Sequence, residues 1–297
     1  MSLGFENTGK WRTQYAVDFE ETATKTYSCN FGVDTLCDSI ADSNVRKSLV
    51  ERFGGHIDAI VGGPPCQAYS RRNSKRDTRA YDDMKQLPHT YIDIAIQLGV
   101  SVVVMEEVAQ AAKHVLPAIV ARLESEGFLV QHRVLNAVDY GVAQNRKRLI
   151  LVATRNGWTF AWPTAHAKRT SIREAFAEEP MPAWGAQVSD YCADRIRTVR
   201  DSNKRLIGGN YAIMDFDKPS PTVHTKTVPG AGPYAIERDG LFHTLGVQEA
   251  ARLQSFPTSF QFCANETKQR KLIGNAVPPK LAQAIASGLT PPSSGTV

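Results

Sequence analysis

The sequence predicts an α/β fold built on a doubly wound sheet, because strand-like and helix-like stretches alternate from residue 11 to about 155. Helices are expected where apolar residues recur at spacings of three and four, over 20–30, 41–53, 88–99 and 110–126. Strands are expected at short apolar runs, at 15–19, 57–61, 102–108 and 149–153. With 297 residues, the chain can bury a sizeable core in one or two domains.

Composition narrows the class of protein. The formal net charge of +5 is compatible with a polyanionic partner. The five scattered cysteines, at positions 29, 37, 66, 192 and 263, predict a reducing cytosol without a disulfide framework, and none has metal-site spacing. No apolar run is long enough for a membrane span, and the first residues do not resemble a signal peptide. We expect a soluble cytoplasmic protein without a metal.

The most informative segment is GGPPCQAYS at 62–70, which follows the strand predicted at 57–61. Reactive groups of open α/β sheets gather at the carboxyl ends of strands. Glycines permit an abrupt exit from the strand, and the two prolines fix the backbone before Cys66. An isolated cysteine is more often a buried structural thiol. Three further sequence segments, downstream of Cys66, favour a reactive cysteine instead.

The first block is the apolar run at 102–108, which ends in the carboxylates Glu106 and Glu107. A solvated glutamate opening a helix is the alternative interpretation. The second block, at 144–148, precedes the strand at 149–153. Its alternate residues Gln144, Arg146 and Arg148 share one face of an extended stretch. An ordinary basic entry to a strand is the alternative interpretation. The third is a glycine-turn-proline junction at 273–279, before a helix expected to begin near Lys280.

In this order, the blocks resemble the DNA cytosine-5 methyltransferase family. The matching motifs are PPCQ at 64–67, EEV at 106–108, Q-x-R-x-R at 144–148, ARLQSFP at 251–257 and GNAVPP at 274–279. The resemblance covers about 3–160 and 219–288. It implies a Rossmann-like, S-adenosylmethionine-dependent methyltransferase sheet with a small, irregular target-recognition domain.

The resemblance assigns roles to residues. Cytosine C5 is a poor nucleophile until a thiolate adds at C6, and Cys66 matches that nucleophile. Glu106 matches the acid that shares a proton with ring N3, and Arg146 matches the arginine directed at O2. Gln144 and Arg148 complete this catalytic set. Because C5 is inaccessible inside a duplex, the cytosine is expected to flip out.

Two departures from the family pattern stand out. Glu107 replaces the usual asparagine, and its carboxylate beside Glu106 and Cys66 is expected to disfavour the thiolate while favouring a protonated Glu106. The family's first strand and its glycine-rich turn are missing before Met1, so we expect weak S-adenosylmethionine binding that improves when an upstream segment is restored. The remaining cofactor residues implied by the resemblance are Asp18, Phe19, Asp38, Pro64, Asn275 and Ala276, with alanine at 276 where serine is commoner.

The predicted organisation is a catalytic and cofactor domain at 1–161, a target-recognition domain at 162–218, a return to the catalytic domain at 219–290 and a disordered tail at 291–297. A basic segment directly after Cys66 is expected to close over DNA, although a solvated surface loop explains its composition equally well. Together with a second basic stretch in the recognition domain, the expected DNA-binding cations are Arg71, Arg72, Lys75, Arg76, Arg195, Arg197, Arg200, Lys204 and Arg205.

The sequence therefore predicts methylation of cytosine C5 in duplex DNA, in a bacterial or phage restriction-modification or orphan modification system. A monomer at the nucleoid is expected, with a cognate restriction endonuclease as a partner that need not bind it. Two alternatives stay open. One is a cofactor-deficient relative that binds DNA without methylating it, and the other is an RNA methyltransferase that acts on tRNA.

Overall fold

A computed structural model describes residues 1–64, 79–179, 185–191, 193–194, 196–197, 212–225 and 234–293, without the side chains of 79–84, 111, 212 and 234. Helices and strands alternate in the first half, as the sequence predicts. The elements there are α1 (Ser2–Glu6), β1 (Ala16–Asp18), α2 (Glu21–Phe31), β2 (Thr35–Cys37), α3 (Ser43–Phe53), β3 (Ala59–Gly62), α4 (Arg79–Gln97), β4 (Val102–Val108), α5 (Ala112–Glu124), β5 (Leu129–Asn136) and β6 (Lys147–Thr154).

The second half contains shorter elements. They are β7 (Thr159–Phe160), α6 (Ile172–Ala177), β8 (Ala212–Met214), β9 (Tyr234–Arg238), β10 (Leu241–Thr244), α7 (Val247–Leu253), α8 (Glu266–Asn275), α9 (Pro279–Ser287) and β11 (Leu289–Thr290). Helix α9 begins beside Lys280, as expected. Strand β11 pairs antiparallel with β7, so the residues just before the predicted tail are held against the body of the protein.

The main sheet has the strand order β3-β4-β6-β5, in which β3 and β4 are parallel and β6 is antiparallel to both neighbours. Strands β1 and β2 form a separate parallel pair. This mixed sheet with helices on its faces confirms the predicted α/β class. Helix α4 begins nine residues before the expected position 88, because Pro88 is accommodated inside the helix rather than at its start.

Strand β4 is the centre of the core, and its side chains alternate between two hydrophobic layers. Val103 and Met105 belong to the layer that packs on α4 and α5. Val102 and Val104 belong to the layer that contains Phe5 of α1 and Leu281 of α9. All four are fully buried. The strand that carries Glu106 and Glu107 is therefore fixed from both sides.

A smaller sheet with the order β10-β9-β8 lies in the second half. Its strands come from both sides of the predicted boundary between 218 and 219, and the domain limits stay a prediction. A third hydrophobic cluster joins Ile172 of α6 and Met214 of β8 with α7 and α8 through Leu253 and Ile273. The described parts of the predicted recognition segment are thus packed on the helices that follow it.

The cysteines differ from expectation at one place. Cys29 on α2 and Cys263 before α8 are joined as a disulfide, so the expectation of unpaired cysteines is wrong for these two. Neighbouring contacts bring the same segments together, since the amide nitrogen of Cys263 donates to Thr26 Oγ1 at 3.1 Å. Within the described residues, no helix is long and apolar enough to cross a membrane, and no group of three or more His, Cys, Asp or Glu side chains could hold a metal ion.

Candidate active site

The carboxyl ends of β3 and β4 lie side by side, because Gly62 is opposite Met105 in the parallel register. The next residue, Gly63, packs directly on Glu106: a Cβ added there would lie 2.9 Å from Glu106 Oε2. Pro64 is buried beside it. The remaining predicted residues of this loop, Cys66, Arg71, Arg72, Lys75 and Arg76, fall outside the described residues. The loop that carries Cys66 therefore leaves the sheet in contact with the acid.

Glu106 is buried, with 7% of its surface exposed, and faces a cation on the neighbouring strand. Arg148 lies on the same face of the antiparallel β4–β6 pair, and its Nε is 2.8 Å from Glu106 Oε1. The N–H is not directed at the oxygen, so Oε1 has no hydrogen bond among the described residues. The pair thus holds opposite charges in contact and leaves one buried carboxylate oxygen of Glu106 without a hydrogen bond among the described residues.

Glu107 lies on the other face of β4, with Val103 and Met105 rather than with Glu106. It is 2% exposed, and its Oε2 accepts a hydrogen bond from the amide of Val108 at 3.0 Å. Adjacent positions in the sequence predict that the two carboxylates are close neighbours. The pleat of the strand instead directs them to opposite sides of the sheet.

Arg146 shares a face with Arg148 but has different surroundings. Its side chain is 1% exposed, and Nη2 donates to the carbonyls of Gly274 at 2.9 Å and Ala276 at 3.0 Å. Burial, reinforced by the nearby charge of Arg148, lowers the pKa of Arg146 to about 9, while Glu106 opposes the shift. Its predicted contact with the base stays a prediction, and the described cation in contact with Glu106 is Arg148.

Gln144 is fully buried and also bonds to protein groups. Its Oε1 accepts from the amide of Val223 at 3.0 Å, and its Nε2 donates to Gln254 Oε1 at 3.2 Å. These bonds tie the entry of β6 to the segments that follow the recognition domain. The geometry makes Gln144 a residue that positions others.

The predicted cofactor residues Asp18, Phe19 and Asp38 meet at the end of the β1–β2 pair. The amide of Asp38 donates to the carbonyl of Asp18 at 3.1 Å, so the two strand ends are held together. The Phe19 ring is 59% exposed. Although Asp18 is exposed overall, crowding around its carboxyl group desolvates it and raises its pKa, and a hydrogen bond from the Glu20 amide opposes the shift. An uncovered ring beside the strand ends that carry Asp18 and Asp38 suits a flat polar ligand.

Two lysines that no sequence motif indicated hold α8 against this edge. Glu20, just after β1, pairs with Lys268 at 2.6 Å and also with Lys271. Asn275 lies four residues after Lys271, on the same face of α8, and is exposed. Ala276 follows at the helix end. A glutamate next to a predicted acidic-aromatic pair was the only signal in the sequence, since its partners lie about 250 positions away.

Two carboxylates anchor the described parts of the predicted recognition segment. Glu249, fully buried on α7, accepts from the amides of Gly185 at 2.9 Å and Gly246 at 2.7 Å and pairs with Arg238. Hydrogen bonds from Arg252 and Thr258 lower the pKa of Glu179 to about 2. Arg197 is the described member of the predicted DNA-binding cations here, and it pairs with Asp194 at 2.9 Å. Arg195, Arg200, Lys204 and Arg205 fall outside the described residues.

Comparison with known proteins places these features in a family. The sequence pattern of the family described as "C-5 cytosine-specific DNA methylase" matches residues 1–290. The chain is 30% identical to the Type II methyltransferase M.AplI of Arthrospira platensis, over 97% of this chain and 81% of the relative. It is 28% identical to the Type II methyltransferase M1.HphI of Haemophilus parahaemolyticus, over 97% and 83%.

Solved structures share the fold. The Dnmt2 methyltransferase of S. pombe superposes with a TM-score of 0.72 at 16% identity, covering 97% of this chain and 93% of that one. A DNA modification methyltransferase encoded within an E. coli prophage gives a TM-score of 0.69 at 18% identity, covering 97% and 94%.

Proposed function

Because the chain belongs to the C-5 cytosine-specific DNA methylase family, we propose that it transfers a methyl group from S-adenosylmethionine to C5 of a cytosine in duplex DNA. The two relatives named above are both called Type II methyltransferases, which supports a role in DNA modification beside a restriction endonuclease. We place the protein at the nucleoid as a monomer that does not need to bind the nuclease.

One observation carries the proposal: the Glu106–Arg148 ion pair lies in contact with the backbone that leads to Cys66. Gly63 touches Glu106, and Cys66 follows three residues later. A cytosine attacked at C6 by Cys66 would present N3 and O2 to neighbouring groups. A protonated Glu106 can donate to N3, and Arg148 can stabilise the charge that develops at O2.

The chain's own groups account for the following steps. The Cys66 thiolate forms a bond to C6, and the ring accepts a proton at N3 from Glu106, which leaves C5 nucleophilic. When bound, S-adenosylmethionine supplies the methyl group for C5. Loss of the C5 proton to a base then allows the thiolate to leave, and return of the N3 proton to Glu106 restores the neutral aromatic ring and the acid. Arg146 is bonded to backbone carbonyls, so we assign the cationic role to Arg148.

The residues at the end of the β1–β2 pair fit an adenosyl ligand. Asp18 can accept from ribose hydroxyls, the exposed Phe19 ring can stack on adenine, and Asp38 can accept from the adenine amino group. Pro64, Asn275 and Ala276 are proposed to close the site from the other side. Duplex DNA is proposed to meet the cations after Cys66 and in the recognition segment, with the target base flipped towards Glu106.

The test is transfer of a labelled methyl group to duplex DNA and, in parallel, to tRNA. We expect label in DNA at cytosine C5, and Glu106→Gln should reduce the rate because an amide cannot supply the proton. Label in tRNA alone would favour the RNA methyltransferase alternative. Binding of DNA without transfer to either substrate at saturating cofactor would favour the inactive DNA-binding relative.

A further inference from the structure

A buried hydrogen-bond network, which the proposed reaction does not use directly, supports the end of α8. Its side chains, Gln144, Arg146 and Gln254, are each at most 1% exposed. Two of them come from the entry to β6, and Gln254 follows the last residue of α7. The network therefore connects the strand that carries Arg148 to the turn after α8.

Gln254 and Arg146 hold three carbonyls of that turn. Gln254 Nε2 donates to Ile273 O at 2.7 Å and makes a longer contact with Ala276 O at 3.4 Å. Arg146 Nη2 donates to Gly274 O and Ala276 O. The last carbonyls of a helix lack ordinary helical partners. Here two side chains supply donors, and the amide of Ala276 also donates to Ile273 O at 3.2 Å.

Gln144 fixes the orientation of Gln254. Its Nε2 donates to Gln254 Oε1, so the nitrogen of the Gln254 amide must face the carbonyls of the turn. The turn itself has little room to adjust, since a Cβ added at Gly274 would lie 2.6 Å from the amide nitrogen of Thr225. Asn275 is the exposed residue within this otherwise tightly held segment.

We propose that Gln254 is a positioning residue for the cofactor: with Gln144 and Arg146 it fixes the turn at Gly274–Ala276 and so sets where Asn275 presents its side chain. This rests on the proposed function, in which Asn275 contacts the cofactor. The bonds to three carbonyls of the turn come from almost fully buried side chains, so the turn is held in place before the ligand arrives. The other two nitrogens of the Arg146 guanidinium, Nε and Nη1, have no hydrogen-bond partner among the described residues.

The test is Gln254→Glu, which preserves the shape but cannot donate to Ile273 and Ala276. We expect the Kd for S-adenosylhomocysteine, measured by calorimetry, to rise about tenfold or more. Amide hydrogen exchange at 273–277 should become faster, while the Kd for duplex DNA without cofactor stays within about twofold. Gln269→Glu is the matched control, because Gln269 of α8 also donates to two carbonyls, of Phe262 at 2.9 Å and Ala264 at 2.8 Å, away from the turn. It should leave cofactor affinity unchanged.

A double-mutant cycle separates positioning from general destabilisation. If Gln254 acts through Asn275, Gln254→Glu should cost much less affinity in the Asn275→Ala background than in the wild type. Should Gln254→Glu fail to fold, Arg146→Lys, which keeps the charge but loses the forked donors, replaces it in the cycle. Two results would overturn the inference, provided that the wild type binds the cofactor. One is that the affinity losses of Gln254→Glu and Asn275→Ala are additive, and the other is that Gln269→Glu loses as much affinity as Gln254→Glu. Absence of wild-type binding would instead contradict the proposed cofactor.

Discussion

The two strand pairs at the carboxyl edge differ in how they hold their polar groups. At the end of β3 and β4, Glu106 is buried and contacts Arg148 of β6, whose side chain is partly buried. At the end of β1 and β2, Asp18, Phe19 and Asp38 are exposed to solvent. Groups that must act on a bond gain from being fixed in advance in a site shielded from water. Groups that bind a ligand must first be accessible to it. The contrast predicts large catalytic effects at the first edge and affinity effects at the second.

The largest effect is expected at the nucleophile. Cys66→Ser should lower methyl transfer by about three orders of magnitude or more, equivalent to ~4 kcal/mol, because a serine hydroxyl is a much weaker nucleophile than a thiolate. DNA containing 5-fluorocytosine should form a covalent adduct with the wild type, since the fluorine at C5 cannot leave as a proton. An adduct with the serine variant at wild-type yield would remove Cys66 from its assigned role.

The next effect compares two arginines of one strand face. Arg148→Leu should lower kcat by about 10²-fold, the size expected when a group that stabilises developing charge is removed. Arg146→Leu should instead lower thermal stability, because the carbonyls of Gly274 and Ala276 lose their buried donor. Single-turnover rates and melting curves for both variants check this. A larger direct rate loss for Arg146, with its fold intact, would return the base contact to that residue.

A moderate effect is expected at the exposed edge. Phe19→Ala should weaken S-adenosylhomocysteine binding about tenfold, while the free energy of unfolding changes by less than about 0.5 kcal/mol, because the ring is already exposed. Calorimetry and denaturant titration measure the two quantities separately. A large loss of stability would mean that the ring packs on the protein rather than on a ligand.

Asp18→Asn should weaken cofactor binding while it raises the stability of the protein. Desolvation raises the folded-state pKa of Asp18, so its ionised form opposes folding at neutral pH. The asparagine variant should melt slightly higher at pH 7 and bind cofactor less tightly. The difference in melting temperature should disappear below the usual aspartate pKa of 3.8, where both side chains are neutral. An unchanged difference at that pH would exclude the carboxylate charge as its cause.

The smallest effect is expected at Glu107. Since a carboxylate beside Glu106 and Cys66 is expected from the sequence to disfavour the thiolate, Glu107→Asn should raise the transfer rate or shift its pH optimum downward. Because Glu107 faces the opposite side of the sheet from Glu106, we expect a change of less than about threefold, with a downward shift of the optimum. Single-turnover transfer across pH 6 to 9 measures both. Superimposable profiles would leave Glu107 without influence on the site.

Sequence reasoning succeeded where a local pattern determines structure. The apolar run before Glu106 predicted the strand that carries it. The alternation of side chains predicted the face shared by Gln144, Arg146 and Arg148. It could not distinguish the two arginines, because their surroundings depend on α8, about 130 residues away. The same limit applies to the Glu20–Lys271 contact and to the Cys29–Cys263 pair. The expected closeness of the Glu106 and Glu107 carboxylates was wrong, because successive side chains of a strand point to opposite faces of the sheet.

The packing of α1 on α9 has a consequence for folding during synthesis. Phe5 belongs to the same hydrophobic layer as Leu281 and Ile285, and a Cβ added at Gly4 would lie 2.6 Å from Ala282 Cβ. That layer covers Val102 and Val104 of β4, so it is not complete until the ribosome has made some 275 residues beyond Phe5. At ordinary elongation rates this takes roughly 15 to 60 seconds. During that interval the exposed face of the sheet is a natural target for chaperones.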